Sequence, residues 1–313
     1  MSRSRIRSVM RFAGPLLLCW VLWRFADLPL LVDTFTQAEP WPIVAAILLN
    51  GAVIHAKLWR WRDLLRTADV RLSFAEAYRA FLPSIFLGLA TPGRVGDALR
   101  VQYLKRDHAV GYADGLAVSI VDRLCDVYVL LGFVAFGVVH LASAVSAPLA
   151  QVTWLAVAIV AIAPAFLFVR GVAEPAAQWL YARFSDGATH EGLSTFFEAL
   201  RRQVGPRLAG PVAITFISFS INYLQAWLVA RGLGIDLTFV DVAALVAISS
   251  FLSLLPISIS GVGVRESFFA LVFPAFGLAG TLGIALGLGV FGVIYLPTLL
   301  VGFLAWLTWP PSK

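Results

Sequence analysis

Charged residues stand at three places inside otherwise apolar stretches of this chain. The first place follows the apolar run 81–90, the second lies within 115–141, and the third follows a glycine-rich interruption. Ionisable side chains at membrane depth face a bundle interior or a cavity and pair with one another. The chemistry they offer is ion pairing, phosphate binding or proton transfer. The eight candidates for substrate contact are Arg94, Asp97, Arg100, Asp122, Arg123, Asp126, Arg265 and Glu266.

A helix break is predicted between the apolar run and the first charged group. Pro92 removes a backbone donor and disfavours helix at Thr91, while Gly93 and Gly96 lack side chains. The apolar run is about half as long as the roughly 20 residues that a membrane-crossing helix needs. Backbone groups freed at this depth are tolerated only against protein or a water-filled cavity. We therefore interpret residues 81–103 as a re-entrant hairpin.

The limb after this break carries three charges on one flank of a predicted helix. Arg94, Asp97 and Arg100 recur every three residues, which makes them neighbours on a helix surface. The N-terminus of this limb would present unpaired N–H groups and the positive end of the helix dipole, which suit a phosphate or a carboxylate. In the alternative interpretation, the segment is a surface loop whose arginines contact lipid headgroups.

A second interruption of similar composition lies near the other end of the chain. It contains Pro256, Gly261 and Gly263, and Arg265 and Glu266 follow it. The two interruptions align loosely. Gly261 aligns with Pro92, Gly263 with Arg94, and Glu266 with Asp97. Two interrupted apolar segments in corresponding positions of two halves point to the central site of a transporter. We therefore predict an inverted repeat.

The middle charged group lies on a long predicted span. Asp122 and Asp126 share a helix face at a spacing of four residues, and Arg123 lies beside them. Two roles remain open for the carboxylates: structural pairing with a basic residue of the hairpin, or the handling of substrate or protons. Because a buried unpaired charge is costly, we expect the four arginines and four acids of the three groups to balance when the site is empty.

The composition defines the class of protein. Of 313 residues, 60% are hydrophobic and 13% are charged, and the mean hydropathy is +0.85. A soluble protein carries about twice that charged fraction, so we predict an all-α polytopic membrane protein. The net charge of +6 comes largely from short basic loops. It indicates orientation and contact with anionic lipids at the cytoplasmic face rather than nucleic-acid binding. Cys19 and Cys125 lie in apolar segments and suggest no disulfide.

Hydropathy and the distribution of basic residues predict about six spans and two re-entrant hairpins. The basic N-terminus, up to Arg11, and the basic loops place both termini in the cytoplasm. We treat the chain as one domain, 1–313, with a first half 1–169, a cytoplasmic linker 170–208 and a second half 209–313. The predicted spans are 12–32, 41–58, 115–141, 151–169, 211–230 and 281–309, and the hairpins are 81–103 and 242–276.

Some parts of this topology have alternatives. The first span could be a cleaved signal peptide, but it is long and lacks a clear small-residue cleavage site. The run 242–260 could be one full span. The basic connector up to Arg79 could lie along the membrane surface as an interfacial helix. We expect the linker to contain an amphipathic surface helix from about Leu193 to Leu200. In the last span, Pro297 predicts a kink.

The motifs of enzymes and of metal sites are missing. The four histidines have no metal-ligand spacing, no P-loop or dinucleotide fingerprint occurs, and no serine or cysteine has an obvious nearby base. We therefore predict that the chain is not an enzyme and uses no metal or cofactor. The histidines are His55, His108, His140 and His190.

Three motifs carry a family resemblance. They are TPGRVGDALR at 91–100, SIVDRLCD at 119–126 and LPISISGVGVRE at 255–266. In order and spacing they resemble the lysylphosphatidylglycerol synthase transmembrane family, which includes the flippase half of the multiple peptide resistance factor. In that family the first motif normally has Glu where this chain has Asp97, a shorter carboxylate.

The resemblance implies a multi-pass protein of the bacterial inner membrane that moves lipid headgroups between leaflets. It leaves the lipid open, because family members are linked to aminoacylated phospholipids, isoprenoid-linked sugars and hopanoid pathways. Two other functions remain open: a membrane enzyme acting on a lipid-linked phosphate, and a non-transporting accessory subunit of a glycolipid pathway. The expected partners are a membrane lipid substrate and anionic lipids, and the oligomeric state, including a homo-oligomer, is open.

Overall fold

The computed structural model describes residues 16–91, 96–142, 147–169, 172–182, 190–254 and 261–310. Within these ranges the chain is helical and contains no strand. Four of the predicted break and site residues, Pro92, Gly93, Arg94 and Pro256, lie outside the described residues. The helices are α1 (Leu16–Phe25), α2 (Leu28–Thr36), α3 (Pro40–Leu65), α4 (Phe74–Ala90), α5 (Leu99–His108), α6 (Tyr112–His140), α7 (Ala147–Ile162), α8 (Ala173–Ala182), α9 (His190–Gln203), α10 (Ala209–Gly232), α11 (Phe239–Leu252), α12 (Val264–Val272), α13 (Gly280–Val290) and α14 (Leu296–Thr308).

Four helical segments are long and apolar enough to cross a membrane. They are Pro40–Ala68, Gln151–Phe168, Pro206–Gly232 and Gly280–Thr308. Each coincides with a span predicted from the sequence, so the chain is a multi-pass membrane protein. Helix α6 is also long, at 29 residues, or about 44 Å at 1.5 Å per residue. It carries the charged residues of the middle group, which lower its mean hydropathy.

The first predicted span differs from the structure. From residue 16 onward the run divides into α1 and α2, because the chain turns at Asp27. The Asp27 carboxylate accepts a hydrogen bond from Leu30 N at 3.2 Å and so caps α2, whose first turn contains Pro29. The Asp27 amide donates to Thr281 Oγ1 at 3.0 Å. A capping aspartate was therefore hidden in a run that looks continuously apolar.

Helix α4 begins earlier than predicted. Ser73 and Glu76 form a capping box, in which the Ser73 hydroxyl accepts from Glu76 N and the Glu76 carboxylate accepts from Ser73 N. The connector up to Arg79 is therefore partly inside α4 and does not form a separate helix.

The predicted break after α4 is present. Helix α4 ends at Ala90, and Thr91 is extended, with φ −115° and ψ 139°. The Thr91 hydroxyl donates to Leu87 O at 2.6 Å and accepts from Gly96 N at 2.9 Å, which ties the two limbs together. Gly88 lies so close to Asp97 that an added Cβ would overlap the carboxylate. Helices α4 and α5 therefore form a hairpin, hereafter the first hairpin.

The second predicted break is also present, between α11 and α12, which pack together as the second hairpin. Helix α11 ends at Leu252. Gly261 and Gly263 have φ of +75° and +87°, the left-handed region that favours glycine. The amide of Gly263 donates to Glu266 Oε2 at 2.6 Å, which starts α12.

The packing of the helices repeats between the two halves. Helices α3, α4 and α5 of the first half can be matched in order with α10, α11 and α12 of the second, and α6 with the pair α13 and α14. Under this matching, most helix pairs that are in contact correspond to another pair that is also in contact. Helix α6 packs on α11 as α14 packs on α4, and α5 packs on α6 as α12 packs on α13. The two matched helices α3 and α10 pack against each other at the centre. This exchange is the contact pattern of an approximate two-fold relation between the halves.

The linker helix α9 is not confined to the surface. Its amphipathic pattern is real, but the apolar face is buried: Phe197 is 2% exposed and Leu200 is fully buried, in the cluster that contains Trp61 and Leu64 of α3. Thr67 donates a side-chain hydrogen bond to Gln203 at the end of α9. The linker therefore fixes the ends of α3 and α6 to each other.

The last long helix changes pitch just before Pro297. Residues Phe291–Tyr295 form a π-helical turn where the sequence predicts a kink. Pro297 has no N–H to donate to Val293 O, four residues earlier. The buried side chain of Asn50 replaces that donor, with Nδ2 at 2.8 Å from Val293 O, and Thr298 Oγ1 donates to Asn50 Oδ1 at 3.2 Å.

We expect Asn50→Leu to lower the unfolding free energy by about 1–3 kcal/mol, because it leaves the Val293 carbonyl without a donor. Adding Pro297→Ala should restore part of that loss, because alanine supplies the missing N–H. Thermal unfolding in detergent measures both, with the exposed Leu48→Ala as the control. Equal stability of Asn50→Leu and wild type would show that the carbonyl needs no such donor.

Candidate functional site

Six charged side chains from three helices and one turn meet inside the helix bundle. Helix α3 contributes one, the turn 96–98 one, α5 one and α6 three. Positive and negative groups alternate around the set, so we call it the ionic ring. Its members, in order, are Arg100, Asp122, Arg60, Asp126, Arg123 and Asp97.

Asp122 is the fully buried centre of the ring. Its Oδ1 accepts from Arg60 Nε at 2.8 Å and also lies 2.8 Å from Arg60 Nη2. Its Oδ2 lies 3.1 Å from Arg100 Nη1. The side chains of all three residues are at most 1% exposed. Both carboxylate oxygens are therefore engaged by guanidinium groups, which is the condition for keeping a charge in a low-dielectric interior.

Arg60 also connects this centre to α10. Its Nη1 lies 2.5 Å from Asp126 Oδ1 and donates to Thr215 Oγ1 at 2.8 Å. Thr215 in turn donates to Pro211 O at 2.7 Å, so its hydroxyl is satisfied in both directions. A single guanidinium thus holds α3, α6 and α10 together.

Arg100 is held by aromatic rings as well as by charge. Its guanidinium lies 5.5 Å from the ring centroid of Trp61 and 5.2 Å from that of Phe81. Cation–π contacts of this kind strengthen when the cation is desolvated. Arg100 Nε donates to the main-chain oxygen of Asp97 at 3.0 Å, which closes the ring.

The remaining part of the ring is more exposed. Arg123 lies 3.3 Å from Asp97, 3.3 Å from Asp122 and 3.1 Å from Asp126. Its side chain is 29% exposed, and those of Asp97 and Asp126 are 11% and 13% exposed. We call Asp97, Arg123 and Asp126 the open arc. Here one guanidinium is shared by three carboxylates at longer distances than those around Arg60.

Arg265 and Glu266 form a separate pair. Arg265 Nε and Nη2 both donate to Glu266 Oε1, at 3.1 and 2.7 Å, and the guanidinium lies 5.3 Å from the Tyr295 ring centroid. Gly287 of α13 packs on the Glu266 side chain, where an added Cβ would lie 2.9 Å from Cγ. Among the described residues no ion pair joins this pair to the ionic ring.

The sequence of this chain matches one protein family along nearly its whole length. The family described as the lysylphosphatidylglycerol synthase TM region matches residues 9–302. The chain belongs to this family. Within it lie the ionic ring and both hairpins, so the resemblance seen in the three motifs is confirmed.

Two relatives illustrate the range of proteins that this chain is similar to. A UPF0104 membrane protein from Pyrococcus horikoshii is 24% identical over 319 residues, which cover 93% of this chain and 94% of the relative. The glycosyltransferase AglD from Haloferax volcanii is 28% identical over 291 residues, which cover 78% of this chain but 45% of that protein. No solved structure matches the chain.

The structure brings together some of the predicted site residues and adds one that the sequence reasoning missed. Five of the eight candidates lie in the ionic ring, two form the separate pair, and Arg94 lies outside the described residues. The residue that was missed is Arg60, which follows the predicted span 41–58 and which hydropathy alone places among basic residues at a helix end. Its helical register held a signal, because Asn50, Lys57 and Arg60 share one broad face of α3. Polar residues on a shared face of an otherwise apolar span point to the bundle interior.

The expected balance of charges holds in a different set of residues. The ring contains three arginines and three aspartates and is neutral by itself. The described ranges contain no group of three or more His, Cys, Asp or Glu placed to hold a metal ion. The three carboxylates are instead engaged by guanidinium groups.

We expect Arg60→Met to lower the unfolding free energy by about 3–5 kcal/mol, because it leaves the three carboxylates of the ring with two arginines and therefore one uncompensated negative charge. A matched control is Arg66→Met on the same helix, since Arg66 is 60% exposed and pairs only with Asp63 at 3.3 Å. That change should cost less than about 1 kcal/mol. Adding Asp122→Asn to Arg60→Met should restore part of the stability. Thermal unfolding in detergent decides, and equal stability of the two single variants would contradict the central role of Arg60.

Proposed function

We propose that this protein moves the headgroup of an anionic or zwitterionic phospholipid, or of an isoprenoid-linked lipid, across the bacterial inner membrane. The observation that carries the proposal is a neutral ring of six charges inside an apolar bundle, closed on one side and open at Arg123. Replacing buried ion pairs by apolar residues is often neutral or stabilising, so stability alone gives no reason for such a ring. Charges at membrane depth usually mark a path for polar groups.

The open arc offers a way to exchange partners. A guanidinium binds phosphate and carboxylate with the same fork of donors. Arg123 contacts three carboxylates at 3.1–3.3 Å and is the most exposed member of the ring. A lipid phosphate at Arg123 would replace one of these contacts, while Arg60 and Arg100 keep Asp122 neutralised.

The two hairpins supply the second part of the proposal. We take them to be re-entrant hairpins within a six-span topology, related as an inverted repeat. The exchanged helix contacts of the two halves and the paired breaks support this arrangement, because broken helices in two related halves commonly surround a transport site. Each half would then offer the lipid headgroup a route through irregular backbone rather than through lipid.

The distribution of basic residues over the two ends of the bundle supports the proposed orientation, with both termini in the cytoplasm. The ends of α3 and α9 meet through Thr67 and Gln203, and Arg202 of α9 pairs with Asp114 of α6. The end of the bundle where α3 and α9 meet carries many arginine side chains. At the opposite end, Glu39 N donates to Gly232 O, and Asp236 and Asp241 are acidic. The positive-inside rule favours the basic end in the cytoplasm, and the basic residues up to Arg11 favour the same side for the N-terminus. Basic residues at that end are Arg66, Arg71, Arg106, Arg201, Arg202 and Arg207.

A second candidate function is an accessory role in a glycolipid pathway. It is favoured by the similarity to a protein named as a glycosyltransferase. The matched region covers 45% of that protein. In that case the protein would bind a lipid-linked sugar phosphate through the same arc without moving it. The third candidate, an enzyme acting on a lipid-linked phosphate, has no comparable observation in its favour.

Reconstitution in liposomes with fluorescent lipids tests transport. We expect Arg123→Lys to lower the rate of lipid translocation by roughly tenfold or more, because lysine keeps the charge but loses the bidentate geometry. Arg66→Lys, at the exposed end of α3, should leave the rate unchanged. Bleaching of the inner-leaflet label by an impermeant reductant reports the rate. Wild-type protein that binds lipid but does not move it would favour the accessory role.

Cysteine labelling tests the orientation. In a variant without Cys19 and Cys125, Asp236→Cys should react with an impermeant thiol reagent from outside the cell, because residue 236 is almost fully exposed at the acidic end. Val204→Cys, half-exposed beside α9 at the basic end, should react only after permeabilisation. The reverse pattern would overturn the proposed topology.

A further inference from the structure

A cavity lies at the open end of the first hairpin, the end away from its break. It lies between the start of α4 and the end of α5 and has a volume of about 160 Å³. Buried apolar side chains, among them Leu72 and Leu104, form part of its wall. It shares no described lining residue with the ionic ring. We call it the mouth cavity, and its charged or titratable lining residues are Glu76, Arg79, Asp107 and His108.

Two of these residues keep charged groups that are not paired within the described part of the chain. Arg106 donates to both oxygens of Asp107, at 2.5 and 2.8 Å, so that carboxylate is engaged. Glu76 Oε2 accepts from Ser73 N and Oγ at 2.7 and 2.6 Å, which leaves Oε1 as the open oxygen. The described residues give Arg79 no hydrogen bond or ion pair. The mouth cavity therefore offers one guanidinium and one carboxylate oxygen to a ligand.

Aromatic side chains next to the mouth cavity indicate that it lies at the level of lipid headgroups. Phe74 and Tyr112 are 42% and 51% exposed and lie close in the chain to lining residues of the cavity. The Arg62 guanidinium lies 3.8 Å from the Phe74 ring centroid, and Lys105 Nζ lies 3.8 Å from that of Tyr112. Exposed aromatic rings are enriched at membrane–water interfaces, and basic clusters there attract lipid phosphates. This setting favours a lipid headgroup over a free ion as the ligand.

Helix α5 connects the mouth cavity to the ionic ring. Arg100 of the ring and Leu104 and Asp107 of the cavity follow one another at spacings of four and three residues, so they share one face of α5. The seven residues from Arg100 to Asp107 correspond to about 10 Å along the helix axis. Tyr103, which also lines the cavity, donates a side-chain hydrogen bond to Trp309 O and so fastens α5 to the end of α14. A headgroup in the cavity thus lies about two helical turns from the ring.

We propose that the mouth cavity binds the zwitterionic headgroup of a phospholipid, with its phosphate on Arg79 and its ammonium on Glu76. The role of the bound lipid, which is held at the membrane surface for loading into the ring, rests on the proposed function. Phosphate and guanidinium form charge-assisted hydrogen bonds, and so do ammonium and carboxylate. His108 can donate to the phosphate or accept from the ammonium. An anionic headgroup without an ammonium leaves Glu76 unpaired beside an added negative charge, so the site selects zwitterionic lipids.

Protection of a thiol in the cavity wall tests this binding site separately from the ring. In a variant without Cys19 and Cys125, His108→Cys supplies the thiol. Phosphatidylethanolamine, which is zwitterionic, should protect this thiol from a maleimide in mixed micelles. Phosphatidylglycerol, which is anionic, should need a roughly tenfold higher concentration, the effect of one charge-assisted hydrogen bond. Equal protection by the two lipids, or protection by neither, would overturn the proposal.

Substitutions in the same background identify the two contacts. Glu76→Gln should raise the phosphatidylethanolamine concentration for half-protection by roughly tenfold without weakening protection by phosphatidylglycerol. Glutamine also completes a capping box with serine, so α4 keeps its start. Arg79→Gln should weaken protection by both lipids. The matched control is Asp69→Asn, which removes an exposed carboxylate where φ is +57°, a conformation that asparagine adopts readily. An effect of Glu76→Gln no larger than that of the control would contradict the assigned ammonium contact.

Two further measurements separate this inference from the proposed function. Soluble phosphoethanolamine at the same concentrations should not protect the thiol, and protection would overturn the assignment to a lipid. In liposomes with a small fraction of labelled phosphatidylethanolamine, Glu76→Gln should lower the translocation rate of that lipid several-fold, and an unchanged rate would overturn the loading role. A wild type that moves neither lipid contradicts the proposed function alone, because thiol protection still decides the binding site.

Discussion

The burial of the Arg60 guanidinium is the constraint on which the rest of the bundle depends. A desolvated arginine must have its charge balanced, and Arg60 balances its charge against Asp122 and Asp126 and also donates to Thr215. These partners lie on two other helices, so α3, α6 and α10 can pack in only one register. The same contacts fix Asp122 for Arg100 and Asp126 for Arg123. The position of the first hairpin therefore depends on an arginine outside it.

The two halves repeat in packing but differ in how their hairpins are fixed. Arg100 and Asp97 tie the first hairpin to α6 through ion pairs that cross between elements. In the second hairpin, Arg265 pairs with its own neighbour Glu266, and the contact with α13 is a close approach at Gly287. Separating such an ion pair leaves uncompensated charges, whereas separating a van der Waals contact does not. The first half thus concentrates the charge, and the second half is held mainly by shape.

The division within the ionic ring is the feature on which the proposed function depends. Its closed side, around Asp122, holds charges that cannot be removed singly without stranding a partner. Its open arc shares one guanidinium among three carboxylates, so a single contact there can be replaced at lower cost. A site built in this way keeps its framework while one of its contacts is exchanged.

The sequence alone determined the class of protein, most of the long spans and both breaks, because these depend on local hydropathy and on the backbone properties of proline and glycine. Two differences between the predicted and the observed helix boundaries also have local causes. The Asp27 cap divides the first predicted span, and the Ser73–Glu76 capping box starts α4 before the apolar run begins. The burial of the linker helix α9 is a third difference, and it has no such local cause. The tertiary structure alone decided the membership of the site. It removed Arg265 and Glu266 from the ring and added Arg60, since α3 brings that residue to Asp122, 62 positions away in the chain. Hydropathy places Arg60 among the basic residues at a helix end, and only the packing of α3 against α6 and α10 shows that its charge is buried and balanced.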